Sequence, residues 1–222
     1  MRKKIQFVNK LTIGLAILVA STAFQVSAME RFTEAEIKAS PYLQSVLKRK
    51  GETYDTSEFR KDGPYRIALA AQGTSNSWSA LFDEHANWYA EQLGSGVIEE
   101  LLYADAQASA DKQVPQVEDL LAQEPDALIL VPMGAAALAA PVERAMAQGV
   151  PVILCASAVE TDNFVTEVGT NLYASGAGLA EYLAKRLNGK GKVLMMTGIP
   201  GVSTSDIMEA GGKATFKKYP GI

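Results

Sequence analysis

The sequence predicts an α/β fold, a doubly wound parallel sheet followed by the start of a second α/β lobe. Three observations carry that prediction. Short apolar runs at Ile67–Ala71, Val97–Tyr103, Ala127–Val131 and Val150–Cys155 read as strands, the first of them buried on both faces. Between them, apolar residues recur at helical spacing, and Gly or Pro punctuates the joins. After Val168 the alternation starts again with one more strand-like run, Lys192–Thr197. Strands and helices alternating in this way form a parallel sheet with right-handed crossovers.

In order, the first strand ends at Gln72 and Gly73, and a polar loop of Thr74, Ser75, Asn76 and Ser77 leads to Trp78. From there a helix runs through Leu81, Phe82, Trp88, Tyr89 and Leu93, broken by Gly94-Ser95-Gly96. Asp105-Ala106-Gln107 ends the second strand. A helix from about Ala110 to Gln123 follows, with Val114, Val117, Leu120 and Leu121 at helical spacing. Pro125-Asp126 opens the third strand and Pro132 closes it. An alanine-rich helix continues to Gln148, in which Pro141 marks either a kink or the true first turn. Phe164–Val168 alternates like a short half-exposed strand, Gly169-Thr170-Asn171 follows, and a helix spans Tyr173–Leu187. Lys192–Thr197 and the turn at Gly198–Gly201 then lead through Val202–Asp206 into a last helix holding Ala214 and Phe216. One strand cannot make a sheet of its own, so the chain is expected to be a piece of a longer protein.

The 222 residues are 48% hydrophobic and 21% charged, an ordinary globular composition. A net charge of -4 offers no basic footprint for nucleic acid. One cysteine, Cys155, allows no intramolecular disulfide, and one histidine, His85, allows no multi-histidine metal site, so no metal is expected. No Gly-x-Gly-x-x-Gly, Walker loop or Gly-x-Ser-x-Gly elbow follows a predicted strand, so neither a nucleotide cofactor nor a catalytic group is expected.

The N-terminus carries Arg2, Lys3, Lys4 and Lys10, an apolar run from Leu11 to Ala20, and Val26-Ser27-Ala28. These are the parts of a secretory signal cut after Ala28, and the apolar run is too short to span a bilayer. Residues 29–63 are charged and lack a strand signal. Thr33–Glu36 has capping-box spacing and Ser40-Pro41 marks a second helix start. The expected division is therefore a signal peptide (1–28), a helical extension (29–63), a first lobe (64–168) and a partial second lobe (169–222).

Ligands of open parallel sheets gather beyond the carboxyl ends of the strands. Gln72 and Asn76 there offer amides, and Trp78 offers an aromatic face, a set that suits a neutral polyhydroxylated solute. Asn76 is read as a ligand amide, a helix cap, or both. Trp78 is read as a ligand-stacking or a core aromatic. Ser203, Thr204, Ser205 and Asp206 either cap the last helix or line the opposite wall.

From Tyr65 to Ile222 the ordered set of motifs resembles the type I periplasmic binding proteins, specifically the ribose-type sugar ABC transporter family. The resemblance rests on the Asn76-Ser77-Trp78 loop, Asp105-Ala106-Gln107, Gly149-Val150-Pro151-Val152, Val168-Gly169-Thr170-Asn171 and Gly198–Ser203. It implies two lobes joined by hinge crossings, the first at Val168–Asn171, with solute trapped between them. It also implies delivery to a membrane ABC permease from the periplasm, without catalysis. Asn76 and Trp78 match the family's sugar-gripping positions. After the fourth strand the family usually places an aspartate and then an arginine or another polar group, where this chain has Ala156 and Ser157. Where an arginine usually follows the Gly-Val-Ser turn, the best match is Met208, with Asp206 nearby. The expected ligand residues are thus Gln72, Asn76, Trp78, Ser157, Asn171 and Asp206, for a sugar or related polar solute. A ligand-sensing receptor of the same fold, feeding a chemoreceptor or sensor kinase, is the alternative.

Overall fold

A computed structural model describes residues 54–222, which fall within one compact unit running from Ser45 to Ile222. The expected signal peptide and the extension before residue 54 lie outside the described residues. Of the remaining extension, only Ser57–Phe59 is regular, as a single 3-10 turn.

Five parallel strands are present: β1 (Tyr65–Ala71), β2 (Ile98–Asp105), β3 (Ala127–Leu130), β4 (Val152–Cys155) and β5 (Thr166–Val168). Their order is β2-β1-β3-β4-β5, which reverses direction between β1 and β3 and is the doubly wound arrangement expected. Register is continuous across the centre, with Ile67 opposite Ala127 and Ala70 opposite Leu130. Helices α1 (Ser77–Leu93), α2 (Ala110–Leu121) and α3 (Ala139–Ala147) make the crossovers. Pro141 stands in the first turn of α3, where its missing N–H costs nothing.

The core lies where α2 and α3 cover the sheet. Ala68, Ala70, Leu128, Leu130, Val152 and Leu154 from the strands meet Val117, Leu120, Leu121, Leu138 and Val142. Ile129 and Ile153 point to the other face and are only half-buried. A parallel sheet is ordinarily covered on both sides, so this face is incompletely clothed by the described residues.

The boundary expected at residues 168 and 169 falls between β5 and α4 (Leu172–Arg186). Helix α4 packs along α5 (Ser203–Phe216) so closely that a Cβ on Gly176 would lie 2.0 Å from the Met208 carbonyl oxygen. A Cβ on Gly211 would lie 2.2 Å from that of Tyr173, so these two glycines set the helix spacing.

One expected element is corrected. Lys192–Thr197 is not a strand: the only pairing near it among the described residues is an isolated bridge from Lys190 to Gly221. Its alternation persists, with Val193 and Met195 partly covered while Leu194 and Met196 are each 88% exposed. A strand is defined by its neighbours' hydrogen bonds, and among the described residues this run has no parallel neighbour to supply them.

Candidate functional site

The loops that follow β1, β2, β3 and β4 all leave the same edge of the sheet, and hydrogen bonds lock them together. Ala106 N–H donates to the Ala71 carbonyl at 3.1 Å and Ala108 N–H to the Gln72 carbonyl at 2.8 Å. Gly73, at φ 115°, lies under this joint. A Cβ there would meet Asp105 Oδ1 at 2.8 Å and Gln107 N at 2.9 Å, so only glycine fits. Asp105 Oδ1 in turn accepts the Gln107 N–H at 2.6 Å.

Gln107, Ala108 and Ala156 are all left-handed, at φ 50°, 58° and 64°. That conformation costs an L-residue roughly 1–2 kcal/mol, and it persists here because the surrounding bonds over-determine the loops. Val202 and Met133, both buried, close over Ala106 in a small apolar cluster. The loops are pre-shaped.

Gln72 is half-buried at the carboxyl end of β1. Asn76 is the N-cap of α1, its Oδ1 accepting the Ser79 N–H at 3.0 Å, which leaves its exposed Nδ2 uncommitted to the cap. Trp78 stands 49% exposed and stacks on Phe82 at 5.5 Å, so it is not a core aromatic. These three predicted residues share one loop and its helix start.

Ser157, in contrast, is buried, with its Oγ 2.6 Å from Thr204 Oγ1. Beside it the Ala158 N–H donates to Ser203 Oγ at 2.8 Å, and the Ala135 N–H donates to the Gly201 carbonyl at 3.1 Å. The 201–204 turn therefore sits directly on the ends of β3 and β4. Asp206 follows it, exposed in the first turn of α5, where its charge complements the helix dipole. Ser203 and Thr204 spend their hydroxyls across this joint, and α5 has no side-chain cap. Asn171 is brought to none of these; it caps α4 by accepting the Ala174 N–H at 2.9 Å.

Gln113 escaped the sequence reading, and Asp83, which the sequence places with Glu84, Glu91, Glu99 and Glu100 on a solvated acidic face, is corrected by the structure. Gln113 is fully buried and bonds to the ends of both β1 and β3. Its signal was there: it precedes Val117 by one helical turn, a polar residue on the apolar stripe of α2. Asp83 is buried between α1 and β2 and accepts the Tyr103 hydroxyl at 2.7 Å. Desolvation raises the Asp83 carboxyl above its ordinary value, against the lowering effect of that bond. It also raises the Tyr103 hydroxyl, reinforced by Asp83.

Cys155 ends β4, and burial pushes its thiol up, which disfavours the thiolate a nucleophile needs. Among the described residues no three His, Cys, Asp or Glu side chains converge as a metal site. No described helix is long and apolar enough to cross a membrane.

Residues 67–222 match the family model described as the periplasmic binding protein domain. A ribose import binding protein of Bacillus subtilis (strain 168) is 34% identical over 141 residues, which are 64% of this chain and 45% of that protein. A xylitol-binding protein of Mycolicibacterium smegmatis is 32% identical over 123 residues, 55% of this chain and 35% of that one. Among solved structures, the fructose-binding periplasmic domain of a hybrid two-component system matches with a TM-score of 0.66 at 27% identity, covering 71% of this chain and 51% of that one. The chain thus spans less than half the length of these two sequence relatives.

Proposed function

The chain belongs to the periplasmic binding protein domain family, and from that premise we propose that it is an extracytoplasmic solute-binding protein of an ABC importer. Its solute is a sugar or a related small polyol, held between the sheet edge described above and a second lobe that begins at residue 169. The observation that carries this reading is the pre-shaped edge itself. Gln72, Asn76 and Trp78 present amides and an open indole face on loops that need no further ordering, and preorganisation of that kind favours affinity. Ribose import and xylitol binding are the named activities of the two sequence relatives, which supports both the solute class and the transport role.

Ser157, Asn171 and Asp206 complete the proposed ligand set, with the hinge at Val168–Asn171. Ala156 stands where the family usually has an aspartate and Ser157 where it has an arginine or another polar group, so the solute is held by neutral hydroxyl and amide groups more than by ion-assisted bonds. No group in this set is poised for catalysis, and the reading assigns none. Residues 1–28 direct export to the periplasm, and an ABC permease receives the loaded protein.

The test is a thermal-shift and calorimetric screen of the full-length protein against ribose, xylitol, fructose and amino acids. A native-state ligand at a hundred times its dissociation constant adds about 2.7 kcal/mol of stability. A clear shift with a sugar or polyol is expected; a shift with amino acids alone would overturn the solute class. A second reading, a sensing receptor, is favoured by one observation: the solved neighbour from a two-component system. Sugar uptake that is lost on deleting the coding region separates the two, because a receptor would leave uptake intact.

A further inference from the structure

We propose that Gln113 is the positioning residue of the solute site, holding the loops after β1 and β3 in their binding geometry. This rests on the solute-binding reading above. β1 and β3 are neighbours in the sheet, yet their crossovers leave in opposite directions, so their ladder ends where the site begins. The last backbone bond between them runs from Val131 N–H to the Ala70 carbonyl at 3.0 Å. Beyond it, the carbonyl of Val131 and the amide of Met133 have left the ladder and lie in the buried crevice.

Gln113 supplies what the ladder no longer does. Its Nε2 donates to the Val131 carbonyl at 2.8 Å and lies 3.3 Å from both the Ala70 and the Ala71 carbonyls. Its Oε1 accepts the Met133 N–H at 2.8 Å. The amide orientation is set by these partners: reversed, it would point oxygen at three carbonyls and nitrogen at an N–H. The side chain has no exposed surface, so each of these groups is cut off from water as a substitute partner.

One amide therefore ties both strand ends to the first turn of α2. Gln72, Asn76 and Trp78 hang from the β1 end within eight residues of Ala70, and Met133 packs against Val202 from the β3 end. Gln113 touches no solute position itself; it acts through the two loops. Its neighbour one turn on, Gln116, is the natural control. It bonds the Asp105 carbonyl alone, at 2.9 Å, on the far strand β2.

The test compares Gln113→Met and Gln116→Met, which keep side-chain length, in the full-length protein. Hydrogen exchange is read at the Met133 amide and at residues 72–77, and global stability is read by urea. Titrations use ribose, xylitol and fructose. For Gln113→Met, exchange of Met133 and of the 72–77 loop should rise at least tenfold beyond any change at the core amide of Leu128. The affinity for whichever probe binds should fall at least tenfold. Gln116→Met should do neither. If Gln113→Met does not fold, Gln113→Asn, which withdraws the amide by one methylene, is held to the same criteria. Loop exchange that follows Leu128, or an affinity left intact, would overturn the proposal. If no probe binds the unaltered protein, the solute reading falls by itself, and the exchange measurement still decides the role of Gln113.

Discussion

Trp78 combines two properties that rarely coexist in a structural aromatic: it is half-exposed, and its only ring partner among the described residues is Phe82 one turn along the same helix. Removing it uncovers little core. An aromatic stack on an apolar solute face contributes roughly 0.5–1.5 kcal/mol beyond the area it buries, and about 1.4 kcal/mol is tenfold in affinity. Trp78→Ala should therefore weaken binding of the probe sugar more than tenfold in calorimetry, with the ligand-free melting temperature nearly unchanged. A large fall in melting temperature with intact affinity would make Trp78 a packing residue. The position of Trp78 and Asn76, at a helix start just past the end of the first strand, was legible in the sequence because it is set by local pattern. Gln113 was not, because all its partners save its own helix lie at least 18 residues away in sequence.

At the scale of elements, strands β1, β3 and β4 could be read from apolar runs because their inward residues pack under α2 and α3, whereas β2, at the edge of the sheet, is buried only at Leu102. The run at Lys192–Thr197 has the same composition and is no strand, since composition specifies a burial preference while pairing needs a neighbour. Helix α1 shows the reverse: its buried side carries Ser79 and Asp83, while Trp78, Leu81, Trp88, Tyr89 and Leu93 stand exposed. No periodicity argument would have placed a carboxyl there. Because the folded state raises the Asp83 value, the protonated form is the one that folding favours. Its stabilisation is fully present below the ordinary value of 3.8 and is lost as pH rises through the raised value. At neutral pH the buried carboxylate opposes folding. Asp83→Asn keeps an acceptor for the Tyr103 hydroxyl and removes the charge. It should raise the melting temperature measured at pH 7. The gain should shrink as pH falls towards 4. A gain independent of pH in that window would show that ionisation of Asp83 is not its source.

Across the whole described molecule, the joint between the sheet edge and the 201–204 turn bears on the proposed solute site. Val202 is buried against Met133 and Ala106, and Ser157 and Ala158 bond Thr204 and Ser203 directly. Ser157, one of the proposed ligand residues, is thus engaged with the facing turn. A solute that reaches Ser157 has to displace Thr204. Binding then competes with docking of the turn, and the apparent dissociation constant is the intrinsic one divided by the fraction of molecules undocked. Loosening the joint should tighten binding. Val202→Ala removes two methyl-sized groups from the apolar cluster, about 1.5 kcal/mol at ~0.8 kcal/mol each. If docking and solute exclude each other, apparent affinity for the probe sugar rises up to about tenfold, carried by a faster association rate in stopped-flow. If the turn stays docked in the bound form, the same substitution loosens a contact that the complex also needs. Affinity is then unchanged or weaker, and Ser157 leaves the ligand set to become a fixed joint between the sheet and α5.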